Sequence, residues 1–188
     1  MAESIITRNA LAQALQDLMD EKPFERISVT DICERCGMNR KSFYYHFRDK
    51  YDLVNWIFDR DFMKLIRNDL EDISINDQLK SIRVFCDYLY ENRRFYGKVL
   101  KVKGQNSLAE HLQEIGRPIV RQRIYHIAGE DYADDFTVEI VSDACILAVE
   151  KWLLQKDPMT PDELIGKMTD VIWRSTGRIY HEMELEQH

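Results

Sequence analysis

A short stretch of the chain, ISVTDICERCGMNRKSFYYHFRDK from Ile27 to Lys50, concentrates side chains that donate hydrogen bonds. Asn39 is a residue type that caps helices, and the helix that it would start runs to about His46. Phe43 and Phe47 are four residues apart, so both would face a core. The other side of that helix offers donors, namely Arg40, Lys41, Ser42 and Tyr45. A rod of this kind, roughly 12 Å long, matches the width of the DNA major groove.

The residues before this helix predict a second helix and a tight turn. Ser28 and Asp31 form a capping box that would start the preceding helix. Gly37 permits a sharp turn between the two helices, so the segment is interpreted as a helix-turn-helix. Lys50 opens the next helix, where a cation and free backbone N–H groups would suit a phosphate. We therefore expect a DNA-binding domain over residues 1–50.

The charge of the chain is unevenly distributed. A net charge of −7 argues on its face against nucleic acid as a partner. The first 50 residues, however, hold equal numbers of basic and acidic residues, so the excess of acid lies wholly in the rest of the chain. From Cys36 to Lys50 the net charge is +3. A locally basic segment on an acidic body favours a nucleic-acid binder with a separate regulatory domain.

The remaining sequence predicts an all-α chain of about nine helices. Capping pairs recur at Ser107 with Glu110 and at Thr160 with Glu163, and the few glycines and prolines leave no hairpin signal. We expect later helices near residues 51–66, 76–92, 94–103, 107–128, 134–156 and 161–183. Residues 51–188 would form a regulatory and dimerisation domain. Without a secretory signal or a membrane-spanning run, and with only four cysteines, the sequence predicts a cytoplasmic protein that does not contact membrane.

The motif resembles the TetR family of bacterial transcription regulators. The matching residues are Ile27-Ser28, Asp31-Ile32, Gly37, Ser42 to Phe47, Lys50 and Leu53. The resemblance implies a dimeric regulator, not an enzyme, that binds a near-palindromic operator in double-stranded DNA. It implies phosphate contacts at Ser28, Asn39, Tyr44, Tyr45, His46 and Lys50, and contacts to base edges at Arg40, Lys41, Ser42 and sometimes Tyr45. The sequence departs from the family pattern in having Cys33 and Cys36 instead of Ala and Lys41 instead of Gly.

A second segment, Phe95 to Leu112, resembles a branch of this family that includes an activator of dihydroxyacetone kinase operons. That activator responds through a partner protein related to a kinase subunit. The basic residues in and around this segment have no acid among them, and they are Arg93, Arg94, Lys98, Lys101 and Lys103. They fit a solvated face, an anion or acidic-partner site, or additional contacts to DNA. The effector is accordingly either a small molecule or a co-regulator protein.

Aromatic residues of the predicted body suggest a ligand pocket between helices. Its lining would come from Phe85, Tyr88, Tyr96, Tyr125 and Trp152, although the same residue types also form ordinary cores. The helix at 134–156 is apolar almost all round from Ala144 to Leu154, so both of its faces need cover. Together with the helix at 161–180 it would form a four-helix bundle across a two-fold axis, which predicts a homodimer.

Metal and catalytic constellations are weak in this sequence. Cys33 and Cys36 could form half of a zinc site or a redox pair, but no second pair of this spacing follows, and free cysteine is a common core residue. His111 and His126 would lie about four helical turns apart, too far to share a metal. No catalytic triad, carboxylate pair or glycine-rich phosphate loop is recognisable. We expect no metal, no cofactor and no enzyme activity.

Overall fold

The computed structural model describes residues 2–69, 77–102, 104 and 106–171. Helices account for most of this part of the chain, which contains no strand. The helices are α1 (Ala2–Glu21), α2 (Val29–Arg35), α3 (Arg40–His46), α4 (Lys50–Asp69), α5 (Asp77–Glu91), α6 (Arg93–Val99), α7 (Leu108–Ala128), α8 (Asp135–Leu153) and α9, described over 161–171, with 3-10 turns at Phe24–Arg26 and Glu130–Tyr132. The prediction of an all-α chain with about nine helices is confirmed.

Local capping explains where the two short helices α2 and α3 begin. The Asp31 N–H donates to Ser28 Oγ at 3.1 Å, and the Ser28 N–H donates back to Asp31 Oδ2 at 2.7 Å. Asn39 caps α3 in the same way, because its Oδ1 accepts the Ser42 N–H at 2.8 Å. Between the helices Gly37 has a φ of +68°, a left-handed conformation that glycine adopts without strain. The predicted helix-turn-helix is therefore present.

The head, which we define as residues 2–49, closes around a small apolar core. Leu11 and Leu15 of α1 are fully buried against Ile32 of α2 and Phe43 of α3. The 3-10 turn contributes Phe24, which is also fully buried. Each helix thus turns one apolar face inward, and the outer faces of α2 and α3 stay available to solvent.

Helix α4 joins the head to the rest of the chain, and the predicted domain boundary at residue 50 coincides with its first residue. The rings of Phe47 and Trp56 lie 5.7 Å apart, and Arg60 Nη1 donates to Asn9 Oδ1 of α1 at 2.9 Å. One hydrophobic cluster runs without a break from the head through α4 into the body, which we define as α5 to α9. Helix α4 therefore packs against both regions.

In the body α7 packs along α8, and α8 is buried on one face only. Val138, Val149 and Trp152 of α8 point inward, whereas Phe136, Ile140 and Leu147 remain exposed. Helix α9 begins at the Thr160 cap, where the Thr160 N–H donates to Glu163 Oε2 at 2.8 Å. The rest of the predicted helix 161–183 lies outside the described residues. Within the part that is described, no helix is long and apolar enough to cross a membrane.

Candidate nucleic-acid interface

One face of α3 carries the polar side chains of the predicted interface. Arg40, Lys41, Tyr44 and Tyr45 are all exposed, and their spacing places them on one side of the helix. Tyr45 is 83% exposed and Tyr44 51% exposed, which is unusual for aromatic side chains. On the opposite side Phe43 is fully buried and its ring lies 5.8 Å from the ring of Phe47. The core therefore fixes the rotation of α3 so that its donors face outward.

Arg40 and Tyr44 form a pair one helical turn apart. Arg40 Nη2 donates to the Tyr44 hydroxyl at 3.3 Å, and the guanidinium lies 5.7 Å from the centroid of the Tyr44 ring. This contact lowers the rotamer freedom of two long side chains before any partner binds. An ordered pair of donors loses less entropy on binding than two free side chains do.

The predicted residues Ser28, Asn39 and Ser42 have structural partners as well. Asn39 Oδ1 accepts both the N–H and the hydroxyl of Ser42, the latter at 3.2 Å. The Ser28 hydroxyl donates to Asp31 Oδ2 at 2.8 Å. Both hydrogen bonds from Ser28, with help from Lys22, lower the pKa of the Asp31 carboxyl to about 2. The three side chains shape the helix starts, and their contacts to DNA stay predictions.

His46 ends α3 and is half-buried. Its ring lies 4.9 Å from the ring of Tyr45 in an edge-to-face arrangement. Burial, together with the nearby positive charge of Arg8, lowers the pKa of His46 below its usual value of about 6.5. The lowered pKa favours the neutral imidazole, which offers one N–H donor.

The structure gives Lys50 a role that the sequence reasoning missed. Its ammonium donates to the carbonyls of Phe24 and Ile27 at 2.8 Å and of Glu25 at 3.1 Å. All three of its donors are therefore used inside the head, where they hold the turn between α1 and α2 against α4. Asp49 caps α4, since its Oδ1 accepts the Tyr51 N–H at 2.8 Å. A carboxylate thus occupies the place where a phosphate was predicted, and a phosphate contact of the Lys50 ammonium would require one of these bonds to break.

The two cysteines of the head are core thiols. Cys33 is buried, and Cys36 is half-buried with its Sγ 3.3 Å from the carbonyl oxygen of Ile32. Burial raises the pKa of both thiols above their usual range. A thiol that resists deprotonation is a poor metal ligand and a poor nucleophile.

The five aromatic residues predicted to line a ligand pocket do not lie together around one cavity. Tyr88 and Tyr96 are buried, their hydroxyls hydrogen-bond each other, and the Phe85 ring packs 6.2 Å from that of Phe58 in the same cluster. Trp152 instead stacks on Tyr90 at 5.7 Å, and its indole N–H donates to the Met159 carbonyl. Tyr125 is exposed on α7. Ligand binding by this set stays a prediction, and it would require the packed rings to separate.

The body has a polar cleft that sequence reasoning did not identify. It encloses about 240 Å³ between α4 and the start of α7. His111 Nε2 lies 2.7 Å from Asp59 Oδ1 across this cleft, and the Asn55 Nδ2 group donates to the Asn106 carbonyl at 3.2 Å. These two contacts connect α4 to the body. Asn106 has a positive φ of 64°, a left-handed conformation that asparagine adopts more readily than most residues.

The predicted basic segment divides into bound and exposed residues. Lys98 is half-buried and donates to the Met19 carbonyl at the end of α1, so its charge is used in joining α6 to the head. Arg93 contacts Tyr90, with its guanidinium 4.8 Å from the ring centroid. Arg94 and Lys101 are exposed, and Lys103 lies outside the described residues.

The protein combines a short, capped helix whose donors face outward with a larger helical body. This combination is typical of a helix-turn-helix transcription regulator. Comparisons with known proteins agree with this class. The model for bacterial regulatory proteins of the tetR family matches residues 11–57, and a model for a transcriptional regulator C-terminal region matches residues 76–173, just over half of the chain. The chain therefore belongs to the TetR family, whose members are DNA-binding transcription factors and not enzymes.

Individual relatives support the predicted branch. The HTH-type dhaKLM operon transcriptional activator DhaS of Lactococcus lactis subsp. lactis (strain IL1403) is 34% identical over 102 residues, 54% of this chain and 53% of that protein. The match thus spans about half the length of that relative. A solved structure of a dihydroxyacetone kinase operon activator DhaS gives a TM-score of 0.59 at 22% identity, covering 91% of this chain and 96% of the other. The solved structure of a TetR transcriptional regulator from Streptococcus agalactiae 2603V gives a TM-score of 0.67 at 18% sequence identity. The match covers 88% of this chain and 93% of the other.

Proposed function

We propose that this regulator binds a near-palindromic operator as a homodimer, with α3 of each head in one of two successive major grooves. The observation that carries the proposal is the outward face of α3, with the donors Arg40, Lys41 and Tyr44 opposite the buried Phe43. Half-sites about one helical turn of DNA apart, roughly 34 Å, would suit two such heads. In each head Arg40 and Ser42 would read base edges, and Lys41 would contact a base edge and the phosphate beside it. Ser28, Asn39, Tyr44, Tyr45 and His46 would contact phosphates.

The exposed apolar stripe on α8 supports the dimer. Phe136, Ile140, Ala144 and Leu147 recur at helical spacing on the face of α8 that the described part of the chain leaves uncovered. Monomeric proteins rarely expose a continuous apolar surface of this kind. A second copy of the same helix, related by a two-fold axis, would cover it with matching side chains.

The body would control the distance between the two heads. α4 is bound both to the head, through Phe47 and Trp56, and to the body, through the pair of Asp59 with His111. An effector that shifts α7 relative to α4 would therefore change how well both recognition helices fit their grooves. A misfit of about 1.4 kcal/mol already changes affinity tenfold.

A matched pair of tyrosine variants tests the proposal. A duplex is first selected from a random library by the full chain, and its Kd is then measured by fluorescence anisotropy without added effector. Tyr44→Ala should weaken binding by about tenfold, the equivalent of about 1.4 kcal/mol. Tyr125→Ala removes a body tyrosine with the same exposed fraction, 51%, and should leave the Kd unchanged. Equal Kd values for Tyr44→Ala and the parent would contradict the proposal.

A second candidate function is that an acidic co-regulator protein docks on α6. Arg94 at the start of α6 and Lys101 just after its end are exposed, which favours this function. The contact from Lys98 to α1 connects the α6 surface to the head and favours it as well. Arg94→Glu combined with Lys101→Glu should abolish the transcriptional response in cells while operator binding in vitro survives. If operator binding were lost as well, the basic surface would belong to DNA binding or to folding.

A further inference from the structure

We propose that Arg8, in the second turn of α1, is an additional phosphate-contacting residue that binds the DNA backbone beside the C-terminal end of α3. The inference rests on the proposed DNA-binding function and extends its contact surface to α1. Neither the helix-turn-helix motif nor the resemblance to the family assigned a role to this residue. Three observations support it: the position of the guanidinium, one donor without a partner in the described part of the chain, and its neighbours.

The guanidinium of Arg8 is placed at the end of the recognition helix. Its Cζ lies 6.0 Å from the centroid of the Phe47 ring, and Phe47 is the first residue after α3. That ring is buried and packs 5.7 Å from Trp56, so it forms a fixed platform. A guanidinium above an aromatic ring keeps its N–H edges available for a planar acceptor such as a phosphate.

One donor of Arg8 is left without a partner within the described residues. Its Nε is buried and has no hydrogen-bond partner there. Two other arginines of the head have partners for their side chains, because Arg35 donates to Glu21 at 2.7 Å and Arg40 donates to the Tyr44 hydroxyl at 3.3 Å. A buried donor without an acceptor destabilises the free protein, so the Arg8 side chain would gain free energy by turning this edge of the guanidinium outward onto a phosphate.

The neighbours of Arg8 belong to the proposed phosphate-contacting surface. Its charge reaches His46, because this charge adds to burial in lowering the pKa of that imidazole. The His46 ring and the Arg8 guanidinium lie 6.4 Å and 6.0 Å from the centroid of the Phe47 ring, so an imidazole and a permanent cation both lie near the end of α3. Together they would hold one phosphate from two directions and so fix the depth of α3 in the groove.

The salt dependence of DNA binding tests the proposal. Plots of log K against log salt concentration are measured for Arg8→Gln on the selected duplex and on an unrelated duplex. The slope should decrease by about 0.9 per bound head on both, because a phosphate contact carries no sequence information. Arg35→Gln removes a positive charge from the same head, but one already paired with Glu21, and should leave the slope unchanged.

A folded Arg8→Gln protein with the parental slope would overturn the proposal. If Arg8→Gln does not fold, Arg8→Met replaces it, because this variant also removes the charge but keeps an apolar stem against Phe47. Arg8→Met should show the same decrease in slope, and a folded Arg8→Met protein with the parental slope would also overturn the proposal. The Tyr44→Ala variant separates this inference from the function on which it rests. Weaker binding in Tyr44→Ala with no effect at Arg8 would reject the inference alone, whereas no effect in either would reject the proposed function too.

Discussion

The head and the body bury apolar side chains in different ways. In the head, α2 and α3 have seven residues each and begin at caps formed with residues three positions away. In the body, α7 and α8 have 21 and 19 residues and are held mainly by packing along each other. Short helices are marginal on their own, so the head depends on its caps and on a few fully buried rings. The body depends on long-range packing and leaves one face of α8 uncovered.

The outer surfaces of the two regions differ in the same way. The exposed face of α3 carries hydrogen-bond donors such as Arg40 and Lys41, whereas the exposed face of α8 carries Phe136, Ile140 and Leu147. Donors suit phosphates and base edges, and an apolar stripe suits another apolar stripe. The comparison assigns DNA binding to one end of the molecule and self-association to the other, and each assignment can be tested alone.

The largest effect is expected from the core of the head. Phe43→Ala removes a fully buried ring and should lower the free energy of unfolding by about 3–5 kcal/mol. Tyr45→Ala, two residues further along α3, removes a ring that is 83% exposed. It should change the free energy of unfolding by less than about 0.5 kcal/mol. Urea denaturation followed by circular dichroism measures both values. Similar losses for the two variants would contradict the assigned rotation of α3.

The uncovered face of α8 should give the next largest effect. Leu147→Arg places a charge in the proposed dimer surface, so sedimentation should show a monomer, and operator affinity should fall by about 100-fold, near 2.7 kcal/mol. Ile119→Arg on α7 is the control, because that side chain is exposed to a similar extent, 43% against 47%. A Leu147→Arg protein that sediments like its parent would assign self-association to another surface.

The caps of the two regions should separate stability from DNA binding. Asn39→Ala and Thr160→Ala should each lower the free energy of unfolding by about 1 kcal/mol, because each removes an oxygen that accepts a helix N–H. Asn39→Asp keeps such an oxygen and should preserve stability, yet its added negative charge should weaken operator binding by about tenfold, near 1.4 kcal/mol. Thr160→Ala should leave operator binding intact. Unimpaired operator binding by Asn39→Asp would exclude a phosphate at the start of α3.

The smallest effect concerns acid stability. Hydrogen bonds from Ser28 lower the pKa of Asp31 to about 2, below the value of about 3.9 in an unfolded chain. A carboxyl with a lowered folded-state pKa stabilises the fold above pH 4, and this contribution is lost as the pH falls from 4 to 2. Asp31→Asn should therefore melt at lower temperature than the parent at pH 6, and the difference should shrink at pH 2. A difference in melting temperature that does not change with pH would show that the charge of Asp31 does not contribute to stability.

Local sequence signals predicted the head well, because its determinants lie within a few residues of each other. The Ser28 and Asp31 box, the Asn39 cap and the turn at Gly37 each act within about one helical turn. The carbonyls that bind Lys50 lie 23 to 26 residues before it, so no local pattern could show them.

The sequence predicted the helices of the body but not how these helices pack against each other. The pairing of Tyr88 with Tyr96, the separate stacking of Trp152 on Tyr90 and the cleft between α4 and α7 depend on how helices meet. Aromatic composition therefore indicated a pocket where the rings in fact pack on each other. Residue types alone do not distinguish a core from a ligand site, because both use the same side chains.

The central claim is that the head, and not the body, contacts DNA phosphates and bases. Its most direct test is the salt dependence of operator binding in two variants. Lys41→Ala removes one exposed lysine from the head, and Lys101→Ala removes one exposed lysine from the body. A lysine that contacts a phosphate contributes about 0.9 to the slope of log K against log salt for each bound head. We expect that decrease for Lys41→Ala and none for Lys101→Ala. Equal slopes in the two variants, or a larger decrease for Lys101→Ala, would contradict the claim.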